Sequence, residues 1–210
     1  MRPVFLPGVV ALLACTSTES RPDSEMDASV DSGTDSGFDA GSDSGMDSGM
    51  DSGVSERRIF VTDTIQDANF GGITGADELC ASQATAANLD GDFKAWLSTI
   101  GSPVSDRLTH ASVPYVLVDG TLIANDWADL TDSSLLAPIN LDASGQPRSG
   151  DVWTGTLPDG LPYLNDDCGG FTSNSDGIGL CGTTASTAGN WTATDTPSCS
   201  TQLRLYCIEQ

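Results

Sequence analysis

The sequence is poor in basic residues and in histidine. It has eight Lys and Arg against 30 Asp and Glu, and a single His, for a formal net charge of −22. This charge disfavours contact with a phosphate backbone, so nucleic acid is not an expected partner. The chain also lacks a Gly-x-Ser-x-Gly elbow, a His-Glu-x-x-His helix and a phosphate-cradling glycine loop, and no cofactor is expected. We expect no enzyme; only a glycosidase with paired carboxylates stays open as a lesser alternative.

The N-terminal apolar run, residues 4–14, is too short to cross a membrane. A membrane-spanning helix needs roughly 20 apolar residues. The run follows a single Arg and ends in Leu-Leu-Ala-Cys at Cys15, which resembles the lipobox of bacterial lipoproteins, where the Cys carries the lipid. The resemblance implies a signal peptide over residues 1–14 and a protein of the cell envelope, lipid-anchored at Cys15 in the outer membrane and exposed at the surface. An ordinary signal peptide with an incidental Cys is the alternative.

Residues 15–54 form an acidic low-complexity segment. An Asp stands at every fourth position from Asp23 to Asp51, and most open an Asp-Ser-Gly-x tetrad. The isolated apolar residues cannot bury a core, so the pattern predicts a disordered linker that self-repulsion extends. Calcium binding by the repeat is an alternative, but an EF-hand-like loop places ligands at every second residue and closes with a Glu, and neither feature occurs here.

Residues 55–210 are long enough for one compact domain. A helix is predicted over residues 74–89, because Ala76, Leu79, Cys80, Ala84 and Ala87 fall on one face. Alternating or apolar runs predict strands over residues 57–62, 92–98, 151–156 and 203–209, and a hairpin over 113–124 around Asp119-Gly120. One main helix and many short strands predict an α+β fold.

Five cysteines lie in this domain. In an exported protein Cys80, Cys168, Cys181, Cys199 and Cys207 are first interpreted as a disulfide framework. Five is an odd number, and spacing alone leaves the pairing open. No Cys-x-x-Cys pair indicates zinc.

Several blocks resemble a known domain. In order along the chain they are GGITGADELC at 71–80, GDFKAWLS at 91–98, residues 106–130, DVWTGT at 151–156 and LRLYCIEQ at 203–210. They are similar to endostatin, the C-terminal domain of certain basement-membrane collagens, and more closely to a bacterial family of endostatin-like surface lipoproteins, some of which are adhesins. The resemblance covers about residues 57–210. It implies a compact C-type-lectin-like fold.

The resemblance also implies a disulfide pairing. The nested bridges of endostatin, carried to matching positions, join Cys80 to Cys207 and Cys168 to Cys199. Cys181 has no counterpart in endostatin. Three alternatives are open for Cys181. It is buried as a small apolar residue, it is exposed and able to link two chains into a covalent dimer, or it forms a competing disulfide with Cys168.

The metal and heparin sites of endostatin do not carry over. Its zinc site uses histidines near its start, whereas this chain has only His110, which we expect to be a structural, hydrogen-bonding residue. Its heparin site uses surface arginines, which are few and scattered here. The Glu-Pro-Asn and Gln-Pro-Asp signatures of calcium lectins are missing as well. The most oxygen-rich segment contains Asn165, Asp166, Asp167 and Asp176, and it is interpreted as a solvated loop with calcium as the alternative.

The aromatic residues supply candidate ligand contacts. Trp96, Trp127 and Trp153 lie in blocks shared with endostatin and are expected in the core, whereas Trp191 stands in a polar stretch and is expected to be the least buried. The candidate contacts are Tyr163, Asp166, Asp167, Phe171 and Trp191. The function expected is that of a lipid-anchored, adhesin-like surface protein that binds an extracellular protein or glycan. A structural envelope lipoprotein is the alternative, and a calcium-dependent lectin is favoured less.

Overall fold

The computed structural model of the protein describes residues 55–210. The predicted signal peptide, Cys15 and the acidic repeat lie outside these residues. The strands are β1 (Arg57–Val61), β2 (Phe93–Ala95), β3 (Tyr115–Leu117), β4 (Leu122–Ala124), β5 (Asp151–Trp153), β6 (Cys181–Thr183) and β7 (Arg204–Glu209). The helices are α1 (Gly72–Ala86) and three single turns, α2 (Val104–Arg107), α3 (Trp127–Leu130) and α4 (Cys168–Phe171), with a 3-10 turn at Gly189–Trp191. Within residues 55–210, no helix is long and apolar enough to cross a membrane.

The seven strands form one curled mixed sheet centred on β7. Along one edge β7 pairs antiparallel with β1; along the other it pairs parallel with β5 and antiparallel with β2. The order β4-β3-β1-β7-β5-β6 completes the sheet, with β2 beside β7. The fold is thus mixed α and β with few helices, which is compatible with the predicted α+β class.

Strands β1 and β7 separate two hydrophobic clusters. Because successive strand residues point to opposite faces, Phe60 and Cys207 enter the cluster beneath α1, whereas Ile59 and Tyr206 enter the other cluster. The central four residues of β7 are all buried. A strand covered on both faces has a continuous apolar run, and the sequence of β7 is such a run.

The predicted helix and hairpin are confirmed, with shifted bounds. Helix α1 lies between two residues in the left-handed conformation. It begins after Gly71, with a φ of 80°, and ends before Asn88, with a φ of 58°. Strands β3 and β4 pair antiparallel around Gly120, which has a φ of 86°. Strand β2 is shorter than predicted. The sequence patterns missed β6 and the single-turn helices, because a single turn carries too few residues to show a period.

Two disulfides fasten the domain. Cys80 on α1 is bonded to Cys207 on β7, and Cys168 on α4 is bonded to Cys199. This is the pairing that the endostatin resemblance implies. Cys181 is a free, buried thiol. The alternative disulfide between Cys168 and Cys181 is therefore not formed among the described residues, since Cys168 is bonded to Cys199.

Candidate functional site

Exposed aliphatic side chains gather around the segment that follows β5. Among residues 55–210, four of the seven large hydrophobic side chains that remain exposed belong to this region. They are Ile100, Leu161, Leu164 and Ile178, with exposed fractions of 52, 48, 68 and 38%. The other three, Ile65, Leu122 and Leu136, lie on different parts of the chain. Such a concentration distinguishes this region, because exposed hydrophobic residues scattered singly are ordinary.

Two adjacent aspartates hold this region together. Asp166 accepts hydrogen bonds from the backbone N–H of Cys168 and of Ile178, both at 3.1 Å. Asp167 accepts from the N–H of Gly170 at 2.7 Å and of Ile100 at 3.1 Å. Their carboxylates therefore bring Ile100 and Ile178, which are distant in sequence, to the same loop. We call Ile100, Leu164, Asp166, Asp167 and Ile178 the acidic–apolar face.

The helical turn α4 beneath this face is left-handed. Cys168, Gly169, Gly170 and Phe171 have φ angles of 54, 66, 73 and 58°. The left-handed conformation costs roughly 1–2 kcal/mol for each residue that carries a side chain, so Cys168 and Phe171 must be held in place. The Cys168–Cys199 disulfide and the Asp167 cap hold the start of the turn, and the buried Phe171 ring holds its end. The face therefore stands on a constrained base.

Two of the predicted ligand contacts, Phe171 and Trp191, are wrong. Both side chains are fully buried. The Phe171 ring packs against Trp153, with ring centroids 6.0 Å apart, and the Trp191 ring packs against Trp96 at 5.0 Å. The polar neighbours of Trp191 lie in the 3-10 turn, which exposes Asn190 and directs the Trp into the core.

The half-buried tryptophan is Trp127 instead. Trp96 and Trp153 are buried, as predicted, but Trp127 lies at the edge of its cluster and stacks on the exposed ring of His110. The two ring centroids are 4.1 Å apart and the planes differ by 10°. His110 Nε2 also lies 2.7 Å from the carbonyl oxygen of Ser105, so it makes the structural hydrogen bond expected of it.

Three predicted contacts, Tyr163, Asp166 and Asp167, lie in the region of the face. The side chain of Tyr163 is half-buried, and its hydroxyl accepts a hydrogen bond from the Asn165 amide at 2.9 Å. The two aspartates are half-buried and use both carboxylate oxygens for backbone N–H groups. In residues 55–210, no three His, Cys, Asp or Glu side chains are grouped as metal ligands would be.

Cys181 lies in the interior of the protein. Its exposed fraction is 1%, and burial, together with the nearby Asp151 carboxylate, raises the pKa of its thiol to about 12. A thiol with this pKa stays protonated at neutral pH and is a poor nucleophile. Cys181 therefore lacks the exposed position that a covalent dimer through its sulfur needs.

The charge around the face has one sign. No Lys, Arg or His stands between Arg148 and Arg204, whereas six aspartates do: Asp151, Asp159, Asp166, Asp167, Asp176 and Asp195. Among the described residues the ion pairs are Arg58–Glu209, Arg107–Asp77 and Arg148–Asp142, and none of them includes a residue of the face. The carboxylates near the face are therefore not neutralised by a cation from residues 55–210.

The sequence predicted the aspartates of this site but not its aliphatic residues. Ile100 and Ile178 are flanked by polar residues or glycine, whereas Leu164 follows Leu161, Pro162 and Tyr163, so no shared sequence pattern marks the three as exposed. Comparison with models of known protein families and with curated proteins finds no match for this chain. The site must therefore be interpreted from its own geometry and from the resemblance already described.

Proposed function

We propose that the protein is a lipid-anchored, adhesin-like protein of the cell surface, in which an endostatin-like, C-type-lectin-like domain binds an extracellular macromolecule. The observation that carries this proposal is the acidic–apolar face, where Leu164 and Ile178 stay exposed on a constrained loop and Ile100 stays exposed where it is hydrogen-bonded to that loop. Large exposed apolar side chains set among polar groups are typical of interaction surfaces.

The constrained base of the face supports binding as its role. Loops carry binding sites most effectively when a rigid scaffold positions them, because less conformational entropy is then lost on association. Here three restraints hold the loop in place: the disulfide at Cys168, the left-handed turn and the hydrogen bond to the carboxylate of Asp167. The resemblance to endostatin-like surface lipoproteins supports the same role, as does the lipobox-like sequence that ends at Cys15.

The experiment is an array of extracellular-matrix proteins and glycans, probed with the mature chain that carries Cys15→Ser. Binding is measured with and without calcium, for this chain and for two further variants, Leu164→Ser and Leu136→Ser. Leu164 and Leu136 are similarly exposed, at 68 and 57%, but only Leu164 belongs to the face. We expect a bound ligand whose signal falls with Leu164→Ser alone.

Two results would count against the proposal. If no matrix protein and no glycan binds, and the chain instead captures another protein of its own envelope, the structural alternative is correct. If binding requires calcium, the domain acts as a calcium lectin, and Asp166 and Asp167 would then be metal ligands rather than the groups that hold the loop together.

A further inference from the structure

We infer that the acidic–apolar face docks a cationic segment of an extracellular protein, one in which basic side chains surround an aliphatic or aromatic anchor. This inference rests on the proposed function and names the chemistry of its partner. Ile100, Leu164 and Ile178 would receive the anchor. The aspartates around them, which no cation of residues 55–210 neutralises, would face the basic side chains.

Charge complementarity selects the sign of the partner. Six aspartates and no basic residue occur between Arg148 and Arg204. Four arginines elsewhere are engaged: Arg58 binds Glu209, Arg107 binds Asp77, Arg148 binds Asp142, and Arg204 donates to the backbone carbonyls of Thr62 and Asp63. Arg57 and Lys94 form no ion pair among the described residues, but they lie on β1 and β2 and do not belong to the face. An acidic polysaccharide, an anionic lipid surface or a nucleic acid would therefore be repelled, whereas a basic protein segment would be attracted.

The negative charge of the face also disfavours a second copy of this chain as the occupant. A symmetric dimer through the face would bring Asp166 and Asp167 against the same residues of the other copy. Like charges placed opposite each other across an interface strongly disfavour association. The acidic residues 16–54, with ten acids and one Arg, carry the same sign of charge and are disfavoured as well.

The kind of side chain on the face favours a protein over a glycan. Sugar rings are bound by stacking on exposed aromatic faces, and the two aromatic residues first expected here, Phe171 and Trp191, are buried. Tyr163 is half-buried and its hydroxyl is bonded to Asn165. The exposed side chains are aliphatic, which suits an apolar side chain of a protein partner.

The experiment measures binding of a labelled synthetic peptide in which Arg residues flank a central Leu-Phe-Leu. Its control is the same peptide with every Arg replaced by Glu. The protein is the mature chain with Cys15→Ser, and two variants are compared, Leu164→Ser within the face and Asp176→Asn beside it. Asp176 is exposed, lies two residues before Ile178, and bonds only its neighbour Ser175, at 3.4 Å, among the described residues. Matched control variants are Leu136→Ser and Glu78→Gln, both outside the face.

We expect Leu164→Ser to weaken binding of the Arg peptide about fivefold to tenfold at every salt concentration, because it removes a central anchor contact. Asp176→Asn should weaken binding at low salt and flatten its salt dependence, since it removes one screened charge interaction. Leu136→Ser and Glu78→Gln should change neither quantity. Because the acidic residues 16–54 also attract the peptide, the result is judged on these differences between variants.

Equal binding by all variants would overturn the inference, and so would equal binding of the Glu peptide. Self-association of the chain that Leu164→Ser abolishes would show that a second copy occupies the face, which also overturns it. The proposed function is judged separately on the array. If an array ligand binds in a way that depends on Leu164 but is acidic, the inference fails while the proposed function stands. If its binding does not depend on Leu164, the inference fails and the proposed function loses the face as its site. If the array is empty, the proposed function fails whatever the peptide does.

Discussion

The sulfur atoms of Cys80 and Cys207 join the main helix to the central strand. Their Cα atoms are 5.4 Å apart in space and the residues are 127 positions apart in sequence. The bond therefore closes a loop that contains most of the domain. The second bond, Cys168–Cys199, closes a loop with a sequence separation of 31.

Replacing Cys80 or Cys207 by Ser should lower the free energy of unfolding by roughly 2–5 kcal/mol. In the chain-entropy model the Cys168–Cys199 bond contributes about 1 kcal/mol less, because its loop is shorter. Cys181→Ala serves as the control, because it removes a sulfur without opening a loop. Urea denaturation measures the free energy of unfolding of the variants that lack either bond and of Cys181→Ala. Recovery of a Cys168–Cys181 or Cys181–Cys199 peptide from a non-reducing digest would contradict the pairing.

The free thiol of Cys181 should not react with alkylating reagents in the folded protein. Its burial and its raised pKa, about 12, both oppose attack on an alkylating reagent at neutral pH. In the Cys15→Ser chain, iodoacetamide should label no cysteine under native conditions and only Cys181 after unfolding without reductant. Rapid native labelling, or a dimer on a non-reducing gel, would show that Cys181 reaches the surface.

Cys15 is predicted to carry the lipid anchor. The apolar run before it is too short to span a bilayer, and a single acyl chain binds only marginally, whereas the several chains of a lipoprotein hold firmly. Cys15→Ser should move the protein from the membrane fraction to the soluble fraction and abolish its labelling by palmitate. Retention of the variant in the membrane fraction, with no palmitate label on either form, would refute the lipobox interpretation.

The sequence predicted those features that depend on local pattern. Helix α1 carries a clear apolar face, and Asp119-Gly120 marks a hairpin, because both signals lie within a few neighbouring residues. The disulfide pairing came from the resemblance, since spacing alone left it open. These features predict where the core and the sheet lie, but they do not predict which surface residues form a binding site.

The candidate site depends on contacts that no local pattern records. Ile100 reaches the site through its N–H bond to Asp167, which lies 67 positions later in the chain. The left-handed turn at Cys168–Phe171 exists because a disulfide, a cap and core packing act together. Trp191 is buried although its neighbours are polar, because a 3-10 turn directs it inward. Tertiary context therefore decided which aromatic residues are exposed.

The ion pair between Arg58 and Glu209 should make stability depend on pH. The guanidinium donates to both carboxylate oxygens at 2.8 Å, and the Arg58 backbone N–H donates at 3.0 Å. Burial alone would raise the pKa of Glu209, but these hydrogen bonds and the charge of Arg58 outweigh it and leave the pKa below its usual value. The stabilisation is thus full above the ordinary glutamate pKa of about 4.3 and is lost as the pH falls through the lower pKa of the folded state.

Glu209→Gln should therefore lower the free energy of unfolding at neutral pH by about 1 kcal/mol, a figure that allows for solvent screening of the partly exposed pair. The difference from the unchanged protein should shrink once the pH is below the pKa of folded Glu209. Glu78→Gln, on the solvent side of α1, is the control and should have no such effect. Urea titrations at several pH values provide the measurement, and a difference that persists unchanged in acid would contradict the assignment.

Two glycines with positive φ should respond very differently to alanine. Gly71, with φ of 80°, and Gly155, with φ of 54°, both adopt a conformation that costs a residue with a side chain roughly 1–2 kcal/mol. A Cβ on Gly71 would meet nothing within 4 Å, so Gly71→Ala should cost that amount alone. A Cβ on Gly155 would collide with the carbonyl oxygen of Ser98 and approach the Phe171 ring to 2.9 Å.

Gly155→Ala should therefore cost roughly a further 1–3 kcal/mol, the usual penalty of overpacking. Because the displaced ring belongs to Phe171, which anchors the left-handed turn under the acidic–apolar face, the variant should also weaken binding of the Arg peptide at temperatures where it remains folded. Chemical denaturation and the peptide titration test the two effects independently. Equal destabilisation by Gly71→Ala and Gly155→Ala would show that the contact between Gly155 and Phe171 is loose, and the face would then lack the constrained base on which its proposed role depends.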